Sequence, residues 1–113
     1  MSVEALIFGS RTTHRVKSWP ENFSAVVAGR KTFEIRRDDR SPPYQCGDLI
    51  LLQEWVPPDR PEVSEPGFSR RQALFLIGRV DRGPCCPDGW CAFELISTET
   101  ALRVGAAILK VQT

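Results

Sequence analysis

Residues 19–40 read WPENFSAVVAGRKTFEIRRDDR, a segment that predicts a short helix, a glycine stop and a strongly charged strand. Ser18 and Glu21 have the S-x-x-E spacing of a capping box, in which two side chains satisfy backbone N–H groups at a helix start. Pro20 fits the first turn because its missing N–H would have no partner inside the helix. Gly29 ends the helix, since glycine enters the left-handed cap conformation at low cost. Helical spacing also predicts one buried apolar face, formed by Trp19, Phe23, Val26 and Val27.

Residues 32–36 alternate polar and apolar side chains with period two, which indicates a strand with two different faces. We expect Phe33 and Ile35 to point inward. Glu34 and Arg36 then share the other face with Thr32, and a charged turn follows over residues 37–40. The charged face is either a ligand-binding surface or a solvated face of mutual ion pairs, which are common and weak on protein surfaces.

The run GRKTFEIR at residues 29–36, the later Gly47-Asp48, and the preceding His14 and Lys17 resemble the ASCH domains of the PUA-like superfamily. Within that superfamily the chain looks most like the branch described as domain of unknown function 3850. The resemblance covers about residues 14–96 of what we take to be a single domain over 1–113. It implies a mostly β (α+β) fold, a PUA-like small β-barrel with one or two flanking helices and a ligand cleft near the Gly-x-Lys strand. It does not by itself imply a reaction.

The composition is that of one ordinary globular domain, with 113 residues, 42% apolar and 26% charged. Lys and Arg number 15 against 14 Asp and Glu, so affinity for nucleic acid has to come from local clustering of charge. Two basic clusters lie early in the chain: Arg11, His14, Arg15 and Lys17, and then Arg30, Lys31, Arg36, Arg37 and Arg40.

The first ten residues contain only a short apolar run, with Glu4 before it and no basic region. This pattern predicts neither a signal peptide nor a membrane span, so we expect a cytoplasmic protein with no membrane partner. Its four cysteines are then expected to stay reduced.

The remaining chain predicts further strands around irregular segments. Extended segments are expected at 3–8 and 12–17, and strands at 49–55, 70–80 and 90–96. Glu54 shares the face of Ile50 and Leu52 by alternation, which makes it a candidate carboxylate at a barrel mouth. The proline-rich residues 56–68 form either a lid or a tolerated surface loop. Residues 97–113 fit a helix or a strand.

Cys85, Cys86 and Cys91 flank a turn, and Cys46 and His14 lie elsewhere, which raises the alternative of a zinc site. The C-C-x4-C spacing differs from the paired ligands of the usual zinc sites, so we expect no metal and no cofactor. Among the aromatic residues, Trp19 and Trp55 are expected in the core. Tyr44 and Phe68 are the better candidates for stacking on a nucleobase.

Lys31 and Glu34 are the residues expected to carry the chemistry, because a lysine can hold a phosphate or act as a base beside a carboxylate. A bacterial acetylcytidine amidohydrolase of the ASCH superfamily reads G-x-K-T-x-T-x-R here, and its lysine matches Lys31. Its second threonine falls on Glu34, which removes a hydroxyl nucleophile. Glu54 is a spatial stand-in for a later glutamate of that enzyme.

Three functions therefore follow as hypotheses. The first is a module that binds RNA, a nucleotide or a nucleoside through phosphate and base contacts, with Glu34 accepting from an exocyclic amine. Its ligand-binding residues would be His14, Lys17, Lys31, Glu34, Arg36, Arg40 and Tyr44. The second is a small amidohydrolase acting on an acylated nucleobase or nucleoside through Lys31 with Glu34 or Glu54. The third is a protein-interaction domain with a solvated charged strand.

Overall fold

A computed structural model of the chain describes residues 12–59 and 66–103. Its elements are β1 (Thr13–Ser18), α1 (Pro20–Val27), β2 (Phe33–Arg37), β3 (Leu49–Val56), β4 (Gly67–Asp81) and β5 (Trp90–Ser97). Residues 98–103 are helical, which favours the helical alternative for this part of the tail. The segment predicted at 3–8 and the central loop residues 60–65 lie outside the described residues.

The five strands form one curled sheet, a half-barrel, in the order β1-β3-β4-β5-β2. β1 pairs with β3 in parallel, and the other three pairs are antiparallel. The mostly β fold that the sequence predicts is therefore confirmed. Because β1 and β2 are the two edges of the sheet, the residues between them in the chain connect one edge to the other.

The core fills the concave side of the sheet. β3 shows the expected alternation, with Ile50, Leu52, Glu54 and Val56 buried on one face. α1 contributes Phe23 and Val26 to the same core. The other buried members are Val16, Tyr44, Ile77, Cys91, Phe93 and Leu95. The residues on the outer face of β3 are half-buried.

The start of α1 differs from the prediction. Pro20 is in the first turn as expected, but the N-cap residue is Trp19 and no side chain caps the helix, so the predicted capping box is wrong. Ser18 is instead the last residue of β1, and its hydroxyl accepts a hydrogen bond within the site. Trp19 and Val27 are about half exposed, which corrects their assignment to the buried face. Gly29 ends the helix with φ +78°, as predicted.

The two faces of β2 are the reverse of those predicted. Phe33 and Ile35 are 47% and 52% exposed, whereas Glu34 is 2% exposed. The register explains the reversal, because Glu34 is paired with buried Phe93 of β5 and therefore faces the concave side. Burial of a carboxylate requires hydrogen-bonding partners, and Asn22 of α1 and Arg36 of β2 supply them here.

Candidate functional site

The buried carboxylate of Glu34 is the centre of the candidate site. Its Oε1 accepts a hydrogen bond from Nδ2 of Asn22 at 2.8 Å, and its Oε2 accepts one from Nε of Arg36 at 2.8 Å. Nζ of Lys31 lies 3.9 Å from Oε1. Both oxygens are therefore engaged, and two cations lie beside one negative charge that is removed from water, which leaves an excess of positive charge.

Asn22 connects three elements of the fold around that carboxylate. Its Nδ2 also donates to Oγ of Ser18 at 2.8 Å, and its Oδ1 accepts from Nζ of Lys31. Asn22 lies in the first turn of α1, while Ser18 ends β1 and Lys31 follows the glycine turn. The backbone N–H of Lys31 bonds back to the carbonyl of Ala25 at 3.2 Å, which turns the chain toward the site. The amide thus uses both its donors and its acceptor to fix the neighbouring polar groups.

A cavity of about 280 Å³ opens beside this network, and we call it the Glu34 cavity. Its lining includes four residues that the sequence predicts as ligand contacts: Lys17, Lys31, Glu34 and Arg36. The other lining residues are Ser18, Trp19, Asn22 and Ile35. The alternation along β2 brings Glu34 and Arg36 together, and the turn after Gly29 adds Lys31. These side chains and Lys17 therefore line one cavity.

A second cavity of about 580 Å³, the edge groove, runs between the two edges of the sheet. β1 contributes residues 15–17 and β2 contributes residues 35–37, followed by Asp39, Arg40, Tyr44 and Trp90. The groove shares Lys17, Ile35 and Arg36 with the Glu34 cavity, so the two form one continuous lining, the cleft. Six Lys and Arg residues line it against two carboxylates, although the whole chain has a net charge of only +1.

Two predicted site residues lie away from the cleft. His14 is buried beneath it, with Nε2 at 2.8 Å from Oδ2 of Asp48 and its ring 4.6 Å from that of Tyr44. Glu54 is held by the hydroxyl of Ser69 at 2.6 Å and by Arg71 at 3.5 Å. All these contacts are with buried core residues or with β4. His14 and Glu54 therefore stabilise the fold and do not line the cleft.

The contacts of Glu54 depend on an irregularity in β4. The pairing with β3 shifts between Gln53 and Trp55, and Arg70 has φ +74° within the irregular stretch. A bulge of this kind redirects side chains that a regular strand would point elsewhere. Here it places Ser69 and Arg71 beside the same carboxylate.

Tyr44 lies at the floor of the edge groove, but its ring is 2% exposed. It packs against His14 and Phe93, with centroid distances of 4.6 and 4.8 Å, and the guanidinium of Arg40 lies 5.5 Å from its ring. Burial raises the pKa of the Tyr44 hydroxyl, although the positive charge of Arg40 opposes the rise. A nucleobase could not stack on this ring without displacing core contacts, so the loop position alone misled the sequence interpretation.

Besides Tyr44, the described aromatic residues that line the cleft are Trp19 and Trp90, neither of which the sequence assigns to the site. Trp55 is half-buried, and Phe68 is exposed but lies outside both cavities. Instead, Nζ of Lys17 sits 4.4 Å from the Trp55 ring centroid and 5.8 Å from that of Phe68. These cation–π contacts hold the lysine at the cleft.

Asn22, Ser18, Arg15 and Arg37 also line the cleft and were missed as site residues. Asn22 precedes Phe23 on the predicted helix, and an amide in a first turn commonly serves local capping, so the sequence gives no signal for its longer-range role. Arg15 and Arg37 belong to the two basic clusters, and that clustering is the available signal.

A further ion pair fixes the chain segment that leads to Tyr44. Arg82 donates to Asp38 through Nε at 2.5 Å and Nη2 at 3.2 Å, and Nη2 also donates to the carbonyl of Tyr44 at 2.6 Å. The hydrogen bond from Arg82 lowers the pKa of Asp38 below its usual value. The pair therefore joins the end of β4 to the loop that carries the groove floor.

The four cysteines differ in solvent exposure: Cys46 and Cys85 are exposed, Cys86 is half-buried and Cys91 is buried. Within residues 12–59 and 66–103, no three potential metal ligands come together. Over the same ranges, no helix combines the length and the apolar character needed to cross a membrane.

The fold and the site together define a small half-barrel domain with a cationic cleft between its sheet edges. The chain belongs to the family described as domain of unknown function (DUF3850), whose family model matches residues 13–95. It is also similar to an uncharacterized 12.9 kDa protein in the GpA 3′ region of Escherichia phage P2, with 42% identity over 43 residues. That match covers 38% of this chain and 38% of the phage protein.

Proposed function

We propose that this protein is a PUA-like, ASCH-related binding module of the cytoplasm that takes single-stranded RNA or a nucleotide in its cleft. The observation that carries the proposal is the concentration of charge, because six cationic residues and two carboxylates line two adjoining cavities in a nearly neutral chain. Local positive charge of this kind attracts phosphate groups and supplies most of the non-specific affinity for nucleic acid.

The groove also supports binding to an unpaired strand. Trp19 and Trp90 line the same cleft as the cations, and proteins that bind single strands combine a positive groove with aromatic stacking surfaces. Glu34 does not oppose an anionic ligand, since it is buried and neutralised by Arg36 and Lys31.

A titration of a short single-stranded RNA at several salt concentrations tests the proposal. If about three phosphates are neutralised, log affinity should fall against log salt with a slope of roughly −2. Arg37→Ala, in the edge groove, should weaken all sequences similarly and reduce the slope by less than about one. Arg79→Ala is the matched control, because Arg79 is exposed and lies outside the cleft. Absence of binding at millimolar RNA would favour a protein-interaction domain.

One observation favours a second function, the amidohydrolase. Lys31 places a primary amine, 31% exposed, in a cavity beside the buried carboxylate of Glu34. For hydrolysis, Glu34 would have to accept a proton from water, and Glu34→Gln would then reduce acetylcytidine turnover by about 10²–10⁴. We expect no detectable turnover by the parent protein, because both carboxylate oxygens already accept hydrogen bonds. Clear turnover by the parent protein that is lost in Glu34→Gln would make the amidohydrolase the preferred function and the binding module the second.

A further inference from the structure

Among the residues that the structure describes, the cations around the Glu34 cavity use few of their hydrogen-bond donors. Arg36 gives Nε to Glu34, which leaves its two terminal amino groups for a ligand. Lys31 uses one of its three N–H donors on Asn22. Within the described ranges Lys17 has no carboxylate partner, and its ammonium is held over Trp55. Three cationic side chains on three different segments thus line one small cavity.

Glu34 has the opposite character. It is 2% exposed, and each oxygen accepts from a protein donor at 2.8 Å. The expectation that Glu34 reads an exocyclic amine would require a ligand to displace Asn22 or Arg36 from it. The carboxylate is better placed to orient those donors, because a charged hydrogen bond fixes the direction in which the rest of the guanidinium points.

We infer that the Glu34 cavity is a phosphate seat, in which Lys17, Lys31 and Arg36 bind a phosphate group of the nucleotide. Glu34 and Asn22 position Arg36 and Lys31 through their hydrogen bonds and do not touch the ligand, while Trp55 holds Lys17. A phosphate monoester fits this donor set, since it carries nearly two negative charges and three strong acceptor oxygens. This inference deepens the proposed nucleotide-binding function and rests on it.

Trp19 gives the same seat an adjacent surface for the base. Its side chain is 54% exposed and lines the Glu34 cavity directly. It occupies the N-cap position, and its side chain makes no capping hydrogen bond. An exposed indole beside a phosphate seat is suited to stacking, which tolerates any base because every base has a π-face. The bound nucleotide thus has its phosphate over Arg36 and its base on Trp19.

Calorimetric titrations with cytidine 5′-monophosphate, cytidine and inorganic phosphate test this arrangement. We expect the monophosphate to bind at least tenfold more tightly than cytidine, and inorganic phosphate to compete with it. Lys31→Gln keeps a donor for Asn22 but loses the charge, so it should remove most of the difference between the two ligands. Trp19→Leu should weaken the monophosphate about 5–100-fold, while Trp19→Phe should retain most of the affinity. Arg79→Ala should change neither affinity, and thermal melting of each variant shows that it is folded.

The outcomes separate this inference from the function on which it rests. Single-stranded RNA that binds with the expected salt slope, while the monophosphate and cytidine bind alike, would overturn the phosphate seat and leave the binding module intact. The same holds if inorganic phosphate fails to compete. Absence of binding by RNA and by all three small probes would reject the module itself. A phosphate preference that persists in Lys31→Gln and in a second variant, Lys17→Gln, would assign the seat to other residues.

Discussion

Glu34→Gln is the most informative single change for stability. The substitution keeps the shape but removes the charge, and it replaces one acceptor oxygen by an amino group. That amino group must then face a donor of Asn22 or of Arg36, because both carboxylate oxygens now accept hydrogen bonds. Loss of one partner from a fully buried pair costs about 3–5 kcal/mol. Arg36 and Lys31 are 24% and 31% exposed and can regain water, so we expect a smaller loss, about 2–3 kcal/mol.

Urea denaturation followed by circular dichroism measures this loss, and thermal melting should show a fall of roughly 6–15 °C for a domain of this size. The matched control is Glu99→Gln, which removes an exposed carboxylate paired with Arg103 one helical turn away. Exposed pairs of this spacing contribute less than about 0.5 kcal/mol. If Glu34→Gln lowers stability no more than the control does, the buried network is not a source of stability and the reasoning from burial fails.

Three further changes test other parts of the fold by the same urea titration. Asn22→Asp sets a second carboxylate beside Glu34 and should cost about 2–3 kcal/mol, more than Asn22→Ala; the reverse order would contradict the role of the amide as a donor. Arg82→Ala should lower stability most at pH 7, because the pair with Asp38 stabilises above the usual carboxyl pKa of 3.8 and loses its effect as the pH falls through the lower folded pKa. An equal deficit at pH 7 and pH 3 would exclude that coupling. Arg70→Gly should stabilise by about 0.5–1 kcal/mol and Arg70→Val should destabilise, since only glycine adopts φ +74° cheaply; equal effects would argue against backbone strain there.

The sequence predicts the elements well because their signals are local. The proline and the glycine bracket α1, and the alternation along residues 49–56 marks β3 and the buried face of Glu54. The prediction of which face of β2 is buried is wrong. The apolar residues of β2 suggested the core face, whereas pairing with β5 turns Glu34 inward. That choice depends on a partner about 60 residues away along the chain, which no local pattern contains.

Some of the predicted site residues also follow from local sequence signals, whereas the position of others depends on distant partners. Lys17, Lys31, Glu34 and Arg36 meet in one cavity, as a short charged strand and an adjacent lysine suggest. His14 and Glu54 have equally suitable chemistry but are engaged by Asp48 and by the bulge residue Ser69. Their partners come from a loop and from an irregular strand. The sequence gives residue types but not these pairings.

The open side of the sheet determines how the cleft can respond to a ligand. β1 and β2 are separated by three other strands in the sheet order, so the width of the edge groove is not fixed by a ladder between them. A direct link is the guanidinium of Arg40, which donates to the carbonyl of Arg15 at 2.8 Å across the gap. Single side-chain hydrogen bonds contribute only about 1 kcal/mol, so thermal motion can widen or narrow the groove by changing the curl of the whole sheet. The cationic side chains of the two edges repel each other, and an anion bound between them would offset that repulsion. Binding should then slow amide hydrogen exchange along β1 and β2 without rearranging the backbone.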